Sequence, residues 1–191
     1  MAIPWFATLR GVSSAGRAVF AIVGAILLAQ LAIEAGDPTG PAWAAQLERP
    51  EGRVILKISG HVANTNSSGA AEFDRAMLQT LPTETIETET PWTDGVVRFE
   101  GPLMRELLKF VGARGSSIQV TALNDYTVDI PVSDLESYHV ILAMKMNGED
   151  LQTRTRGPLW VVYPWSEHPM LRAELYYGRA VWQAREIIVK D

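Results

Sequence analysis

The chain contains no cysteine, and this absence constrains its fold and its chemistry more than any residue that is present. It excludes disulfides, a catalytic thiolate, cysteine-ligated zinc and iron–sulfur clusters. No covalent cross-link can therefore hold the fold together. A chain of 191 residues with 47% hydrophobic and 20% charged residues has ordinary globular composition and predicts one domain, with room for a short extra segment.

Charge and motif content exclude several other classes of function. The formal net charge of −5 argues against a nucleic-acid partner, because duplex binding depends on clustered lysine and arginine. The histidines His61, His139 and His168 are scattered, and their spacing does not predict a metal site. Glycine-rich phosphate loops and the G-x-S-x-G nucleophile motif are absent, so a Ser/His/Asp triad has no support in the sequence.

The N-terminus has the pattern of an export signal. Residues 1–17 contain Arg10 and Arg17 and no acid, and an apolar run of 16 residues spans 18–33, short of the ~20 that a bilayer span needs. The small residues Ala42 and Ala44 then form a cleavage site. We expect residues 1–44 to be a signal peptide, or alternatively a retained anchor, and residues 45–191 to be a periplasmic domain. The two arginines are not adjacent, which favours export of an unfolded chain.

Short apolar segments alternate with turn residues along the rest of the chain. Alternation predicts a hairpin over 118–130, and Asn147-Gly148 predicts a second one after a buried strand over 140–146. Further extended segments are predicted at 54–58, 83–90, 96–99, 159–163 and 186–189. Helical spacing predicts helices over 73–81, 102–111 and 171–177, and a short turn capped by Ser133. Strands dominate without βαβ regularity, so we predict an α+β single domain with a mixed sheet.

Tryptophans mark the region where chemistry is expected. Four of them, Trp92, Trp160, Trp165 and Trp182, follow residue 44 and lie near turns and polar groups. Flat aromatic faces combined with carboxylates suit a planar heterocycle with a polar edge. The alternative is that the rings are core. Their context favours core for Trp160 and Trp182 and leaves Trp92 and Trp165 evenly balanced.

Polar residues accompany these aromatic rings in three segments. Asp94 shares a turn with Trp92, the tip of the first hairpin reads Asn124-Asp125-Tyr126, and an arginine precedes the aromatic stretch from Arg156 to Trp165. Asp94 and Asp125 can equally be turn residues that bond their own backbone.

The order of these segments resembles the small exported members of the sulfite-oxidase-type, molybdopterin-binding domain superfamily. The matching words run from Val54 to Val189 and include TETPWTDG at 88–95, ALNDY at 122–126, LAMKMNGE at 142–149 and the stretch 157–165. The resemblance implies a mixed α+β sulfite-oxidase fold with a pterin cleft. Catalytic members ligate molybdenum through a cysteine just upstream of the Trp92 turn, whereas residues 86–91 here offer Glu and Thr and no sulfur.

One branch of the superfamily matches this departure. It consists of periplasmic pterin-binding proteins that lack the cysteine and regulate a membrane-bound sensor, such as a cyclic-di-GMP cyclase/phosphodiesterase. The resemblance implies a reduced pterin of the tetrahydropterin type as ligand, no molybdenum cofactor, and the extracytoplasmic domain of the sensor as partner. We therefore predict an exported regulatory module rather than an enzyme. The alternative is a molybdenum-cofactor-dependent oxidoreductase of the same superfamily, with the metal held by Ser, Thr or a carboxylate.

The predicted pterin site combines aromatic walls with polar side chains. Trp92 and Trp165 are the expected stacking walls, and Asp94 or Asp125 is the expected acceptor for the pterin amino and N–H edge. The remaining members line the cleft: Asn124, Tyr126, Arg156 and Tyr163. No catalytic residue and no metal ligand is predicted.

Overall fold

Strands and short helices alternate through residues 47–191, the part of the chain that the computed structural model describes. The strands are β1 (Leu56–Gly60), β2 (Ala70–Phe73), β3 (Thr83–Glu89), β4 (Val96–Pro102), β5 (Ser117–Ala122), β6 (Thr127–Pro131), β7 (Ile141–Ala143), β8 (Lys145–Met146), β9 (Glu149–Asp150), β10 (Trp160–Val162) and β11 (Ala184–Lys190). The α-helices are α1 (Arg75–Gln79), α2 (Met104–Phe110), α3 (Val132–Ser137) and α4 (Glu174–Gly178), and a 3₁₀ turn spans Pro169–Leu171.

The largest sheet in this region is mixed and has the strand order β2-β1-β11-β5-β6. Strand β1 pairs in parallel with β11, and the other neighbours are antiparallel. The hairpin of β5 and β6 buries Ile118, Val120 and Ile130, as period-2 alternation predicts. The mixed sheet and interspersed helices confirm the predicted α+β fold, and the described residues belong to one compact unit.

A second, antiparallel sheet has the order β3-β4-β8-β9, and a two-stranded ladder joins β10 to β7. The turn between β8 and β9 has positive φ at Asn147 (51°) and Gly148 (82°), which these two residue types accommodate readily. At Gly101 the backbone of β4 approaches β7 so closely that a Cβ would lie 2.1 Å from the carbonyl oxygen of Leu142. Glycine at this position allows the second sheet to pack directly against the two-stranded ladder.

Several local predictions are corrected. Phe73 belongs to β2 and not to a helix, because Asp74 caps α1 by accepting a 2.9 Å hydrogen bond from the Met77 amide. Ser133 lies inside α3, which begins after Pro131 without a side-chain cap. The predicted strand over 140–146 is divided into β7 and β8, which lie in different sheets, because the Met144 amide bonds the Glu100 carbonyl between them. The predicted helix over 171–177 is shortened to α4.

The core is continuous and includes the largest aromatic side chains. Fully buried members include Phe73, Phe99, Trp160, Tyr163 and Trp165. This confirms the prediction that Trp160 is core.

Within residues 47–191, no helix has the length and apolar character needed to cross a membrane. The predicted signal or anchor and the cleavage site at Ala42 to Ala44 lie outside the described residues.

Candidate ligand-binding cleft

A cleft of about 290 Å³ opens where the Trp92 turn, the tip of the β5–β6 hairpin and the segment after α4 meet. Half of its lining residues are aromatic, and its polar side-chain atoms belong to Asn124, to two tyrosines and to two tryptophan indoles. The full lining is Trp92, Asn124, Tyr126, Tyr177, Gly178, Ala180, Val181 and Trp182. Concave sites with apolar walls and a small number of polar groups are typical of small-molecule binding.

The Trp92 wall is fixed by its own turn. The amide of Trp92 donates to Thr90 Oγ1 at 3.1 Å, and one hydrogen bond of 2.8 Å joins the hydroxyls of Thr90 and Thr93. From the other side, Arg156 Nη2 donates a 2.7 Å hydrogen bond to the Trp92 carbonyl oxygen. The backbone of this half-buried tryptophan is therefore held at both its amide and its carbonyl.

The indole of Trp92 is the centre of an aromatic cluster. Its ring centroid lies 5.5 Å from that of Trp182, 5.9 Å from those of Tyr177 and Trp160, and 6.1 Å from that of Trp165. All four contacts are edge-to-face, an arrangement that the ring quadrupoles favour. Trp92, Tyr177 and Trp182 also line the cleft, so the cluster continues from the cleft surface into the core.

Arg156 supports this cluster from behind the lining. Its guanidinium carbon lies 5.3 Å from the ring centroid of Trp160 and 5.5 Å from that of Trp182. Both separations are within the range of cation–π attraction. Arg156 therefore holds Trp92 through a hydrogen bond and Trp182 through ring contact, although it does not itself line the cleft.

The hairpin tip forms the opposite rim. Asn124 Oδ1 accepts from the Tyr126 amide at 3.2 Å, and the Tyr126 hydroxyl donates to the Gly178 carbonyl at 2.8 Å, which links the hairpin to the end of α4. Asp125 has φ +65°, and its carboxylate lies 2.6 Å from Arg185 Nη2. The Asp125 side chain is thus engaged with an arginine and is not part of the lining.

A buried polar group anchors the segment that follows α4. Asp134 Oδ2 accepts from the Tyr163 hydroxyl at 3.0 Å and from Arg179 Nη1 at 2.7 Å. Burial, together with the negative charge of Asp134, raises the pKa of Tyr163 well above its ordinary value, so the phenol stays protonated and donates. Arg179 lies between the lining residues Gly178 and Ala180, and its pairing fixes this wall.

The structure brings together three of the predicted site residues, Trp92, Asn124 and Tyr126, and places Arg156 directly behind them. Asp94 is exposed on its turn and outside the lining. Tyr163 and Trp165 are fully buried. The expectation that Trp165 is an open stacking wall is therefore corrected, because other side chains cover its ring completely.

Trp182 takes the place that was predicted for Trp165. It is half-buried and lines the cleft, although its context favoured core. The remaining wall, from Tyr177 to Val181, was also not predicted from the sequence. A paired aromatic motif beside a glycine, Tyr176-Tyr177-Gly178, was the available signal for it.

Comparison with known proteins assigns the chain to a family. The profile of the oxidoreductase molybdopterin binding domain matches residues 49–168, which is more than half of the chain. The chain belongs to this family. The match includes Trp92, Asn124 and Tyr126 of the molybdopterin-binding domain and ends before Tyr177 and Trp182.

A solved structure shows the same fold. The sulfane dehydrogenase SoxCD from Paracoccus pantotrophus matches with a TM-score of 0.53 and 19% sequence identity, over 71% of this chain and 38% of that chain. The molybdopterin-binding domain described here thus spans well under half the length of that protein. At this identity the match supports the fold alone, and it agrees with the predicted sulfite-oxidase-like architecture. No curated protein matches the chain significantly in sequence.

The segment just upstream of the Trp92 turn supplies no thiolate that could hold a metal. In the stretch 86–91, the buried Thr88 hydroxyl accepts from the Ser166 amide at 2.9 Å, and Ser166 Oγ accepts from the Glu89 amide at 2.9 Å. These hydroxyls satisfy backbone groups, and the sequence has no sulfur ligand other than methionine thioether. Within the described range, no three His, Asp or Glu side chains are grouped to hold a metal ion.

Proposed function

We propose that this domain is a pterin-binding module that takes a reduced pterin of the tetrahydropterin type in the aromatic cleft and uses no molybdenum. The observation that carries the proposal is the pairing of an aromatic cleft with a sequence that has no cysteine, within a family named for molybdopterin binding. A pterin site can persist without the soft thiolate that anchors the metal.

The cleft offers the two kinds of contact that a pterin needs. Trp92, Tyr177 and Trp182 provide aromatic surface, and each well-placed ring contact contributes about 0.5–1.5 kcal/mol beyond burial. The Asn124 amide provides both donor and acceptor atoms for a polar ring edge. Asn124 therefore joins Asp94 and Asp125 as a candidate partner for the pterin amino and N–H groups.

A titration tests ligand binding directly. Purified residues 45–191 are titrated anaerobically with tetrahydrobiopterin while tryptophan fluorescence is followed, and we expect a saturable change because Trp92 and Trp182 line the cleft. Trp92→Leu removes one wall and should weaken binding. A control within the domain is Val54→Ala, at an exposed position outside the lining, which should leave binding unchanged. Absence of any saturable signal with the folded protein contradicts the proposal.

We further propose that the domain is periplasmic and that its bound state is read by the extracytoplasmic domain of a membrane-bound sensor, of the cyclic-di-GMP cyclase/phosphodiesterase type or a related one. Support comes from the export pattern of residues 1–44 and from the regulator branch that the sequence resembles. A ligand shifts only an equilibrium in which it binds the two states differently. Pull-down from membranes should therefore recover different amounts of a sensor with and without tetrahydrobiopterin, and equal recovery contradicts switching.

The second candidate function is a molybdenum-cofactor-dependent oxidoreductase. Family membership favours it, as does the structural match to an enzyme described as a sulfane dehydrogenase. Elemental analysis separates the two candidates, because only the oxidoreductase requires a bound metal. Stoichiometric molybdenum in protein purified from its native host would replace the binding-module proposal.

A further inference from the structure

We propose that the cleft selects pterins without a phosphate group and rejects their phosphate esters, including molybdopterin, which ends in a phosphate. This inference rests on the proposed pterin function and specifies its ligand class. It is drawn from the charges around the cleft, which are independent of the missing cysteine.

The lining carries no cationic side chain. The polar side chains of its members within the described residues are all neutral: the Asn124 amide, the tyrosine hydroxyls and the tryptophan indole N–H groups. A phosphate monoester carries about −1.5 to −2 charges at neutral pH and needs cationic or N–H donors when water is removed. Transfer of such a charged group to a wall that has neutral donors but no cationic partner is strongly unfavourable.

The arginines that adjoin the lining are already engaged with protein groups. Arg156 bonds the Trp92 carbonyl, Arg179 bonds the buried Asp134, and Arg185 bonds Asp125. Arg179 and Asp134 are only 14% and 10% exposed, so their separation would leave a charge buried without its partner. A phosphate could therefore recruit Arg179 only by disrupting the wall that Arg179 holds.

Two backbone amides in this wall are also already engaged. The amides of Ala180 and Val181 donate to the carbonyls of Tyr177 and Arg179. Gly178 contributes a carbonyl that already accepts from the Tyr126 hydroxyl. These three groups therefore provide no hydrogen-bond donor for a phosphate.

The test compares two ligands that differ only in the phosphate. Tetrahydroneopterin and its side-chain phosphate monoester are titrated anaerobically into the wild-type domain by calorimetry at low and at physiological salt. We expect the ester to bind at least about tenfold more weakly than the parent pterin. Equal or tighter binding of the ester overturns this inference and leaves the pterin proposal standing. Failure of both ligands to bind the folded domain overturns both.

A charge-gain variant gives a second, independent readout. Asn124→Lys places a cation at the rim and should increase the relative affinity for the ester severalfold, with the gain reduced by salt. Glu149→Gln changes the net charge by the same amount at an exposed position on β9, outside the lining, and should leave the ratio unchanged. An equal gain in both variants would show that long-range charge, and not the lining, sets the selectivity, which contradicts the inference.

Discussion

Arg156 Nη2 donates a 2.7 Å hydrogen bond to the carbonyl oxygen of Trp92, a residue 64 positions earlier in the chain. The same guanidinium lies against the ring of Trp182, on the other wall of the cleft. One side chain therefore sets the positions of two aromatic walls that arise from distant segments. This arrangement makes Arg156 a positioning residue whose loss should affect both stability and binding.

Arg156→Met keeps much of the apolar stem and removes the donors and the charge. We expect the free energy of unfolding to fall by about 1.5–3 kcal/mol, the range for hydrogen bonds to charged groups. Tetrahydrobiopterin affinity should fall as well, because the Trp92 carbonyl loses its anchor. Denaturant unfolding and fluorescence titration measure the two effects. Arg154→Met, at an exposed position of the same loop, should change the unfolding free energy by less than about 0.5 kcal/mol.

Trp165 and Trp182 should respond differently to truncation. Trp165→Ala removes a fully buried ring and should lower the unfolding free energy by about 3–5 kcal/mol. Trp182→Ala removes a half-buried ring from the cleft, so it should cost less stability but reduce the ligand-dependent fluorescence change, to which Trp92 still contributes. Urea unfolding of both variants, followed by circular dichroism, makes the comparison. A Trp165→Ala protein as stable as wild type would contradict the core assignment.

The raised pKa of Tyr163 predicts a loss of stability in alkali. The unfolded tyrosine deprotonates near its ordinary pKa of 10, whereas the buried phenol keeps its proton to higher pH. Above about pH 10 the unfolded state therefore binds fewer protons, and stability falls by up to about 1.4 kcal/mol per pH unit from this group. The contribution is fully present below pH 10.

The variant Tyr163→Phe isolates this effect. It should be less stable than wild type at pH 7 by about 1–3 kcal/mol, because Asp134 loses a donor. Its stability should then decline less steeply than that of wild type between pH 10 and 11. Thermal unfolding across this range tests the difference, and parallel curves for the two proteins would contradict a buried, protonated Tyr163.

The polar edge of the pterin is contacted either by Asn124 or by one of the aspartates Asp94 and Asp125, and the two assignments predict different effects of mutation. If the lining amide contacts the pterin edge, Asn124→Ala should weaken tetrahydrobiopterin binding by about two- to tenfold. Asp94→Ala and Asp125→Ala should then change the affinity by less than about twofold, since Asp94 is exposed and Asp125 pairs with Arg185. A tenfold loss in either aspartate variant would instead favour the carboxylate acceptor expected from the sequence.

The sequence predicted the elements whose signal is local. Alternation located the hairpin of β5 and β6, and Asn147-Gly148 located the turn between β8 and β9, because side-chain period and φ preference act over a few residues. The division at Met144 was not predictable, since an apolar run does not reveal where a strand changes its partner. Phe73 was misread because a four-residue strand is too short to show its period.

The cleft was predicted only in part for a related reason. Trp92, Asn124 and Tyr126 lie on turns that a sequence pattern identifies. The exposure of Trp182 depends on its bridge to Trp160 and on how the wall after α4 packs, and both are long-range contacts. Likewise, the sequence context left Trp165 evenly balanced between core and cleft, and long-range contacts decide for core: Arg172 Nε bonds its carbonyl and the surrounding rings enclose it.

Strand β11 lies between β1 and β5 in the middle of the largest sheet, yet it comes after every other described strand in the chain. The sheet therefore remains divided until residues 184–190 are available to join its two parts. A ribosome-bound chain whose residues 184–190 are still inside the ribosome should lack the ladder at the centre of this sheet. The domain is thus expected to reach its native form late, only after residues 184–190 are free to pair with β1 and β5.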